Sequence, residues 1–599
     1  MPNRRQVLAG AAVLAALPGA ARAADSEDAR LSALLARHMD EYLDLSPQAA
    51  ASVLTGPRAQ AARFRLDDRS VAGKARDVAA ARRWRAELAA IDRAKLSQGA
   101  AADCDTAAFA YELLAEMGAR YGFQDHALRP GPYLISQMSG DYYWLPEEFA
   151  RAPITSRQDA DPYLSRFAAF AVALDQETER VRVDAAAGAI PPDFVLDRIV
   201  AQLSGLRAIS PETSSMVTGP AARAQARGWT DLEPAARQIL AGQVQPALDR
   251  QIALFKSFQA GASHDAGVWR LPDGDAWYAL ALRSNTTTST PPLEMHAHGL
   301  ETFRALEAEL DVLLKAQGLT QGSVGQRIQA LDRDPRFLKP ATDQGRQALL
   351  QYARDHLAHV HDLLPRAFRT LPDRDITVDR VPVAIEAGAP GAYYSGPPAD
   401  GSRPGVIAIN LKETSEWPLW RLATLTHHEG DPGHHLQAAV FRKAGSPAPY
   451  KSFAQYSAYV EGWAVYAEHV AVEIGAYEND PFGRIGAVQS ALFRAARIVV
   501  DTGIHAKRWS REDATRWMVE QAGEPQTSAQ REIDRYCVYP GQACSFMVGR
   551  LEFLRAREEA RARLGARFDI RDYHELILAA GPMPMEVVAQ RVAAWTGAG

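Results

Sequence analysis

The sequence predicts a mostly α-helical protein. Apolar residues recur three and four positions apart through long stretches rich in Ala, Leu, Arg and Glu, as in DPYLSRFAAFAVALDQETERVRV, and this spacing places them on one face of a helix. Helix starts are also marked, for example by Thr290 before Pro291 and Pro292, because Thr caps a helix and Pro is tolerated in its first turn. Two internal stretches break this pattern.

Both of these stretches have the composition of loops or short strands. Residues 264–290 contain Gly, Pro and a cluster of Thr, which predicts a loop or linker. Residues 374–411 combine Pro and Gly with alternating β-forming residues, which predicts a small hairpin or sheet. The last strand of this sheet, from Gly405 to Leu411, comes just before a histidine-rich motif and could offer an edge to an extended peptide.

The length of the chain predicts two structural units. With 599 residues, the chain exceeds what one hydrophobic core usually serves. We therefore expect a two-lobed helical protein with a central cleft. An N-terminal helical region over residues 24–263 is expected to be joined by the 264–290 linker to a C-terminal region over residues 291–599.

The first 23 residues have the pattern of an export signal. Arg4 and Arg5 precede an apolar run that leads to Ala21, Arg22 and Ala23, a small-x-small cleavage site, and paired arginines are typical of the twin-arginine route. The apolar run is shorter than a membrane-spanning helix needs. We expect a soluble mature protein, in the periplasm or secreted, without membrane association.

Composition and charge argue against several classes of partner. Removal of residues 1–23 takes away three arginines and no acid, so the formal charge moves from −5 to −8. An acidic chain without a basic block is not expected to bind nucleic acid. Three cysteines do not make a disulfide framework, and we expect core thiols, with a Cys537–Cys544 bridge as the alternative.

The stretch THHEGDPGHHLQ carries four histidines and has the character of an interrupted zinc-binding helix. In the sequence His-Glu-x-x-His, two imidazoles lie one helical turn apart and bind one zinc ion, while the Glu activates water. The histidines that follow His428 are His434 and His435, which lie too far away on an unbroken helix. If Pro432 and Gly433 are looped out as a bulge, His434 regains the required spacing.

A third ligand is expected from the downstream helix SAYVEGWAVYAEHV. A catalytic zinc usually takes two histidines and one carboxylate, which leaves a position open for water. The predicted ligands are therefore His428, His434 and Glu461, with His435 as the alternative to His434. Glu429 is the predicted general base, and the mixed His/Glu ligation favours Zn²⁺.

Further C-terminal residues are candidates for contacting a substrate. Asp501 and His505 are one helical turn apart, so that the carboxylate could orient the imidazole. Arg535 could hold a substrate carboxylate bidentately, and the hydroxyl of Tyr536 or Tyr539 could donate to a developing oxyanion. The ordinary alternatives are a helix salt bridge for Asp501 and core packing for Tyr536.

The chain carries a series of motifs that resembles a known family, the zinc-hydrolase-like family catalogued as domain of unknown function 885. The motifs occur in the order HEGDPGHHLQ, YVEGWAVYAE, RAARIVVDTGIHAKRWSREDA, DRYCVYPGQACSF and FDIRDYHELILAAGPMP. The resemblance implies a mostly α-helical fold similar to the cleft-forming zinc peptidases and a metallopeptidase activity. It also implies that His428, His434 and Glu461 are the ligands and that Glu429 is the base.

Three other residues near these motifs are assigned supporting roles. Tyr394, in the predicted sheet, is a candidate for substrate binding. Glu468 lies two turns after Glu461 on the predicted helix and is expected behind the ligands or at the surface. His427 is additional to the family pattern and is expected to lie behind the ligand histidines.

These observations predict an exported zinc-dependent hydrolase of peptide bonds, with His505, Tyr536 or Tyr539 stabilising the oxyanion. Arg535 favours a carboxypeptidase or dipeptidase acting on short peptides. One alternative is a zinc amidohydrolase for a non-peptide or isopeptide amide. The other is a non-catalytic periplasmic protein that binds metal or peptide; Glu429 speaks against it, because binding alone needs no general base.

Overall fold

The computed structural model describes residues 26–121, 123, 130–373, 376–383, 386, 391–397, 403–445, 451 and 456–597. It confirms a mostly α-helical fold with one small sheet. The predicted signal, residues 1–23, lies outside the described residues. Within the described part, no helix combines the length and apolarity needed to cross a membrane.

The N-terminal region is a succession of helices with short connections. A π-helical turn over Leu240–Val244 precedes its last member. The helices of this region are α1 (Glu27–Leu45), α2 (Pro47–Val53), α3 (Gly56–Ala62), α4 (Val71–Leu88), α5 (Gln98–Arg120), α6 (Asp141–Arg151), α7 (Ala160–Ala186), α8 (Asp193–Ala208), α9 (Ser215–Gln225), α10 (Leu232–Ile239) and α11 (Gln245–Gln259).

The remaining helices lie on both sides of the sheet in the sequence. Those before the sheet are α12 (Gly274–Thr286), α13 (Pro292–Ala316), α14 (Val324–Asp332) and α15 (Asp343–Leu363). Those after it are α16 (Leu419–Glu429), α17 (His434–Ala444), α18 (Ser457–Glu473), α19 (Pro481–Ala506), α20 (Arg511–Glu520), α21 (Gln526–Tyr536), α22 (Gln542–Leu564), α23 (Ile570–Leu578) and α24 (Met585–Ala594).

Helix α12 corrects the prediction of a loop or linker at residues 264–290. The helix is bounded by Asp273 and Thr287, both with left-handed backbone conformations (φ 54° and 52°). Trp277 and Tyr278 belong to the N-terminal core, whereas Leu282 belongs to a core of the C-terminal region. The flanking Gly, Pro and Thr residues delimit a short helix, and the apolar run between them is buried between the two regions.

Several hydrophobic cores cross the boundary between the two regions. The core of α5–α12 includes Val538, one core of the C-terminal helices includes Phe109 and Leu113 of α5, and another includes Leu282 of α12. The division into two lobes stays a prediction. Cys104, Cys537 and Cys544 are buried and free, as expected for core thiols, so Cys537 and Cys544 do not form the alternative bridge.

The sheet contains β1 (Ile376–Arg380), β2 (Ala392–Ser395) and β3 (Gly405–Ile409), in the order β1-β3-β2. Strand β3 pairs with β1 in parallel and with β2 in antiparallel orientation. The prediction that β3 offers a free edge is therefore wrong, because both of its edges are paired. Apolar residues of the sheet pack with α15 and α16, which positions the start of the histidine motif.

Helices α18 and α22 cross at two glycines. A Cβ atom on Gly462 would lie 2.4 Å from the Cα of Gly549, and a Cβ on Gly549 would lie 1.9 Å from the carbonyl oxygen of Ala458. The two backbones are therefore in direct contact at this point. The crossing fixes the position of α18 directly beside Glu461.

Substitution Gly549→Ala should lower the free energy of unfolding, because backbone atoms of α18 occupy the space of the new methyl group. We expect a loss of about 2–3 kcal/mol, within the range for overpacked sites, measured by urea unfolding. Gly205→Ala on α8 is the matched control, since its Cβ would meet no atom within 4 Å. Equal stability of the two variants would contradict the close crossing.

Candidate metal centre

The Pro-Gly insert separates two helices. Helix α16 ends at Glu429 and α17 begins at His434, so Gly430–Gly433 form the connection. The backbone N–H of Gly433 donates to the carbonyl oxygen of His427 (3.0 Å). Trp463 of α18 donates from Nε1 to the carbonyl oxygen of Pro432 (3.1 Å). The insert is thus held against the helix on one side and against α18 on the other.

The chemistry of these four residues explains the break. Proline has no N–H to donate and disfavours helical torsions in the residue before it, which is Asp431. A Cβ on Gly433 would lie 2.0 Å from the carbonyl oxygen of His428, so only glycine fits against the end of α16. Asp431 is anchored from the opposite side by a hydrogen bond between its Oδ2 and His361 Nδ1 (2.8 Å).

This connection brings three predicted ligands together. Potential ligand atoms of His428, His434 and Glu461 all lie within 4.8 Å of one another. Glu461 Oε2 is 3.8 Å from His428 Nε2 and 3.5 Å from His434 Nε2. The two imidazoles are nearly perpendicular, with ring centroids 5.0 Å apart and an interplanar angle of 84°. One small cation could contact all three side chains.

Glu468 holds one of these ligands from behind. Its Oε1 is 2.8 Å from Nδ1 of His428, which leaves Nε2 directed toward Glu461. Glu461 and Glu468 are two turns apart on one face of α18, so both reach the same imidazole. A carboxylate on the second ring nitrogen is the usual support of a metal-binding histidine.

The electrostatics of the centre favour a bound cation. Burial favours the neutral ring of His428, but Glu461, Glu468 and Glu429 outweigh it and raise the pKa of His428 to about 9. Burial also opposes ionisation of Glu461, yet contacts with His428 and His434 hold the pKa of Glu461 well below its ordinary value. Carboxylates therefore dominate the field around His428, where a proton or a metal ion is stabilised.

The three residues fit a zinc ion in number, type and access. Two imidazoles and one carboxylate are a common catalytic zinc set that leaves a coordination position open. The side chains of His434 and Glu461 are 15% and 21% exposed, whereas that of His428 is 5% exposed. The centre is consequently open to solvent on the side of His434 and Glu461.

Glu429 is placed beside this centre as the last residue of α16. It is 8% exposed, and its carboxylate interacts electrostatically with His428. Its role as general base stays a prediction. In this role a recessed carboxylate next to a ligand can exchange a proton with a substrate on the open side.

His435, the alternative ligand, lies outside the three-residue group. Its Nδ1 is hydrogen-bonded to the hydroxyl of Tyr394 (3.0 Å), and its Nε2 faces the carbonyl oxygen of Asp373 (3.3 Å). Tyr394, predicted to bind substrate, therefore connects β2 to α17. His427 is fully buried and its Nδ1 is 3.0 Å from the hydroxyl of Tyr477, so it packs behind the ligands.

His505 is placed in a structural environment. Its Nδ1 accepts from the backbone N–H of Val268 (3.2 Å) and its Nε2 is 3.1 Å from the carbonyl oxygen of Tyr536. The predicted pairing with Asp501 is wrong, because that carboxylate accepts from Tyr278 (2.6 Å) and from the backbone N–H of Gly541 (3.0 Å). Burial lowers the pKa of His505 to about 3, and these contacts give no support to a catalytic role.

The two tyrosines predicted to stabilise an oxyanion use their hydroxyl groups elsewhere. Tyr536 is fully buried and donates to Glu532 Oε2 (2.8 Å), and Tyr539 donates to the carbonyl oxygen of Met138 (3.2 Å). Arg535 donates to Glu532 (2.9 Å) and to Gln542. Arg535 and Tyr536 therefore belong to a local hydrogen-bond network centred on Glu532. The sequence analysis did not predict this role for Glu532.

Comparisons with known proteins establish the family. The model of the family described as "Bacterial protein of unknown function (DUF885)" matches residues 49–592, and the chain belongs to this family. No curated protein matches the chain. The solved structure of a lipoprotein candidate from Colwellia psychrerythraea is similar, with a TM-score of 0.89 and 30% identity, covering 95% of this chain and 99% of that chain. A lipoprotein candidate of unknown function from Shewanella oneidensis shares the fold, with a TM-score of 0.71 and 18% identity over 94% and 99% of the two chains.

Substitution Gly433→Ala should weaken metal binding, because the new methyl group would collide with the carbonyl oxygen of His428 and shift His434. We expect the affinity for Zn²⁺ to fall at least about 10-fold, as for the loss of other groups that hold ligands in place. Competition with a fluorescent chelator measures this affinity. Gly99→Ala, whose Cβ would meet no atom within 4 Å, is the control and should bind zinc as the unaltered protein does.

Proposed function

We propose that this protein is an exported zinc-dependent hydrolase that cleaves peptide bonds in short peptides. The observation that carries the proposal is the convergence of His428, His434 and Glu461, whose ligand atoms lie within 4.8 Å of one another, beside Glu429. The pattern of residues 1–23 supports action in the periplasm or outside the cell.

A zinc ion would be held by His428, His434 and Glu461. When bound there, it supplies a Lewis acid that polarises a carbonyl group and makes water easier to deprotonate. Glu468 fixes the ring of His428 through Nδ1 (2.8 Å), which directs Nε2 toward the position of the metal. The partial exposure of His434 and Glu461 lets solvent reach this side of the centre.

Glu429 performs the proton transfers in this proposal. Its carboxylate takes a proton from water as the water oxygen forms a bond with the scissile carbonyl carbon. The same proton is then delivered to the amide nitrogen as the C–N bond breaks, so that a carboxylic acid and an amine leave. Proton transfer by a positioned carboxylate of this kind contributes about 10²- to 10⁴-fold to a rate.

The experiment that tests this function is digestion of a mixed peptide library by the purified mature protein, analysed by mass spectrometry. We expect trimming of short peptides that stops when a chelator removes the metal and returns when Zn²⁺ is added back. The bound metal is measured in parallel and should amount to about one zinc per chain, as one group of three ligands provides. Peptide cleavage that persists in zinc-free protein would refute the proposal.

Substitution Glu429→Gln should abolish turnover while zinc remains bound, because the amide keeps the shape of the side chain but cannot accept the proton. We expect kcat to fall at least about 100-fold, the lower end of the effect of a general base. Glu520→Gln is the control, since Glu520 is also the last residue of a helix but is exposed. Full activity of the Glu429 variant would exclude this residue as the base.

A further inference from the structure

Three arginines lie near the metal centre. Arg494 and Arg497 lie one turn apart on α19, and Arg535 lies near the end of α21. Their side chains are 16%, 10% and 18% exposed, so each is recessed but reaches solvent. Arg494 and Arg535 are both close enough to Glu461 to interact electrostatically with its carboxylate.

Arg497 lies between two aromatic rings and makes the fewest hydrogen bonds of the three within the described residues. Its guanidinium lies between the rings of Phe493 and Phe546, 4.4 and 4.6 Å from their centroids. Within the described residues it makes one hydrogen bond, from Nη2 to Glu532 (3.0 Å), and its Nε has no partner. A guanidinium has five N–H donors. Two aromatic faces therefore orient a planar cation whose Nε is buried and whose Nη1 makes no hydrogen bond to a described residue.

The two neighbouring arginines are more fully engaged. Arg494 donates from Nη1 to Ser490 Oγ (2.6 Å), and its Nη2 is 3.6 Å from Glu468. Arg535 is committed to Glu532 and Gln542. Both terminal nitrogens of Arg535 are engaged, whereas the Nε of Arg494 has no partner, as in Arg497. Among the described residues, Arg497 therefore makes the fewest hydrogen bonds of the three, and Arg494 also retains unused donors.

The balance of charge calls for an anion once the metal is present. Arg494 interacts electrostatically with Glu468 and Glu461, and Arg535 interacts with Glu532 and Glu461. A divalent cation at His428, His434 and Glu461 would offset the charge of Glu461 and leave these arginines less compensated. Glu524, the next acid near Arg494, shares Arg421 (3.2 Å) with Asp332 (2.7 Å). An uncompensated charge in a recessed site is costly, so a single substrate carboxylate would be stabilised there.

We propose that Arg497, clamped between Phe493 and Phe546 and supported by Arg494 and Arg535, receives a carboxylate group of the substrate. This inference rests on the proposed function and narrows it to peptides that carry a carboxylate near the scissile bond. A C-terminal carboxylate and the side chain of Asp or Glu share the required chemistry. The planar guanidinium of Arg497 can bind either in a bidentate manner.

Matched peptides test this selectivity on the zinc-loaded protein. One peptide has a free C-terminus, the second has the same sequence with a C-terminal amide, and the third has the amide with a penultimate Glu. We expect kcat/KM for the free acid to exceed that for the amide at least about 10-fold, as one charged hydrogen-bonded contact provides. Recovery of turnover by the Glu-containing amide would assign the subsite to acidic side chains; lack of recovery would assign it to the C-terminus.

Substitution of Arg497 separates recognition from support of the fold. Arg497→Gln should reduce the ratio of acid to amide kcat/KM by about 10-fold or more, mainly through a higher KM for the acid. Arg497→Lys keeps a positive charge beside Glu532 but loses the planar fork, so it should reduce the ratio by a smaller factor. Arg327→Gln is the control: Arg327 is also recessed and is paired with Asp311 (2.5 Å), and its variant should keep the ratio of the unaltered protein.

A binding experiment that needs no turnover distinguishes the two proposals. Calorimetric titration of zinc-loaded Glu429→Gln protein with N-acetylalanine and with N-acetylalanine amide reports on the anion subsite alone. Binding of the acid that is lost in the double variant with Arg497→Gln supports the subsite, even if no peptide is ever cleaved. The carboxylate subsite would be overturned if chelator-sensitive cleavage proceeded at equal rates for acid and amide. It would also be overturned if Arg497→Gln slowed the cleavage of both peptides equally. Either result would leave the hydrolase proposal standing.

Discussion

The candidate centre depends on the close contact between Gly433 and the end of helix α16. Because a Cβ at this position would lie 2.0 Å from the carbonyl oxygen of His428, the chain can reverse only with glycine there. This contact allows a second helix to begin at His434 within reach of His428. Trp463, two residues after Glu461 on α18, then donates a hydrogen bond to the carbonyl oxygen of Pro432 and so connects the insert to α18. Backbone packing thus sets the distances among the three ligands.

The helices that carry the centre are fixed by contacts of the same kind. Gly462 and Gly549 let α18 and α22 touch, and α18 presents Glu461 and Glu468 on one face toward His428. Arg494 on α19 approaches Glu468 from the far side (3.6 Å). The centre is therefore the meeting point of α16, α17, α18 and α19, in which each carboxylate faces at least one cationic or protonated group. Such a network is stable only when all its members are present.

Much of the fold and the three candidate metal ligands could be predicted from the sequence, because both depend on local patterns. Helical periodicity predicted the fold class, and the interrupted motif predicted His428, His434 and Glu461 as neighbours. The errors concern packing between distant segments. Residues 264–290 have loop-like ends, but burial of Trp277 and Tyr278 makes the middle a helix. His505 has the spacing of an oriented base, yet backbone groups from two other segments occupy both of its nitrogens.

The sequence by itself determined which residues are candidates to bind a metal, since His, Glu and the Pro-Gly break are properties of one short stretch and one helix. The tertiary structure decided which neighbours those residues have. Only the folded chain places Glu468 behind His428, and only the packing of α19 against α22 sets Arg497 between Phe493 and Phe546. The physical reason is that ligand spacing follows from local backbone geometry, whereas hydrogen-bond partners and charge balance depend on which helices meet in space.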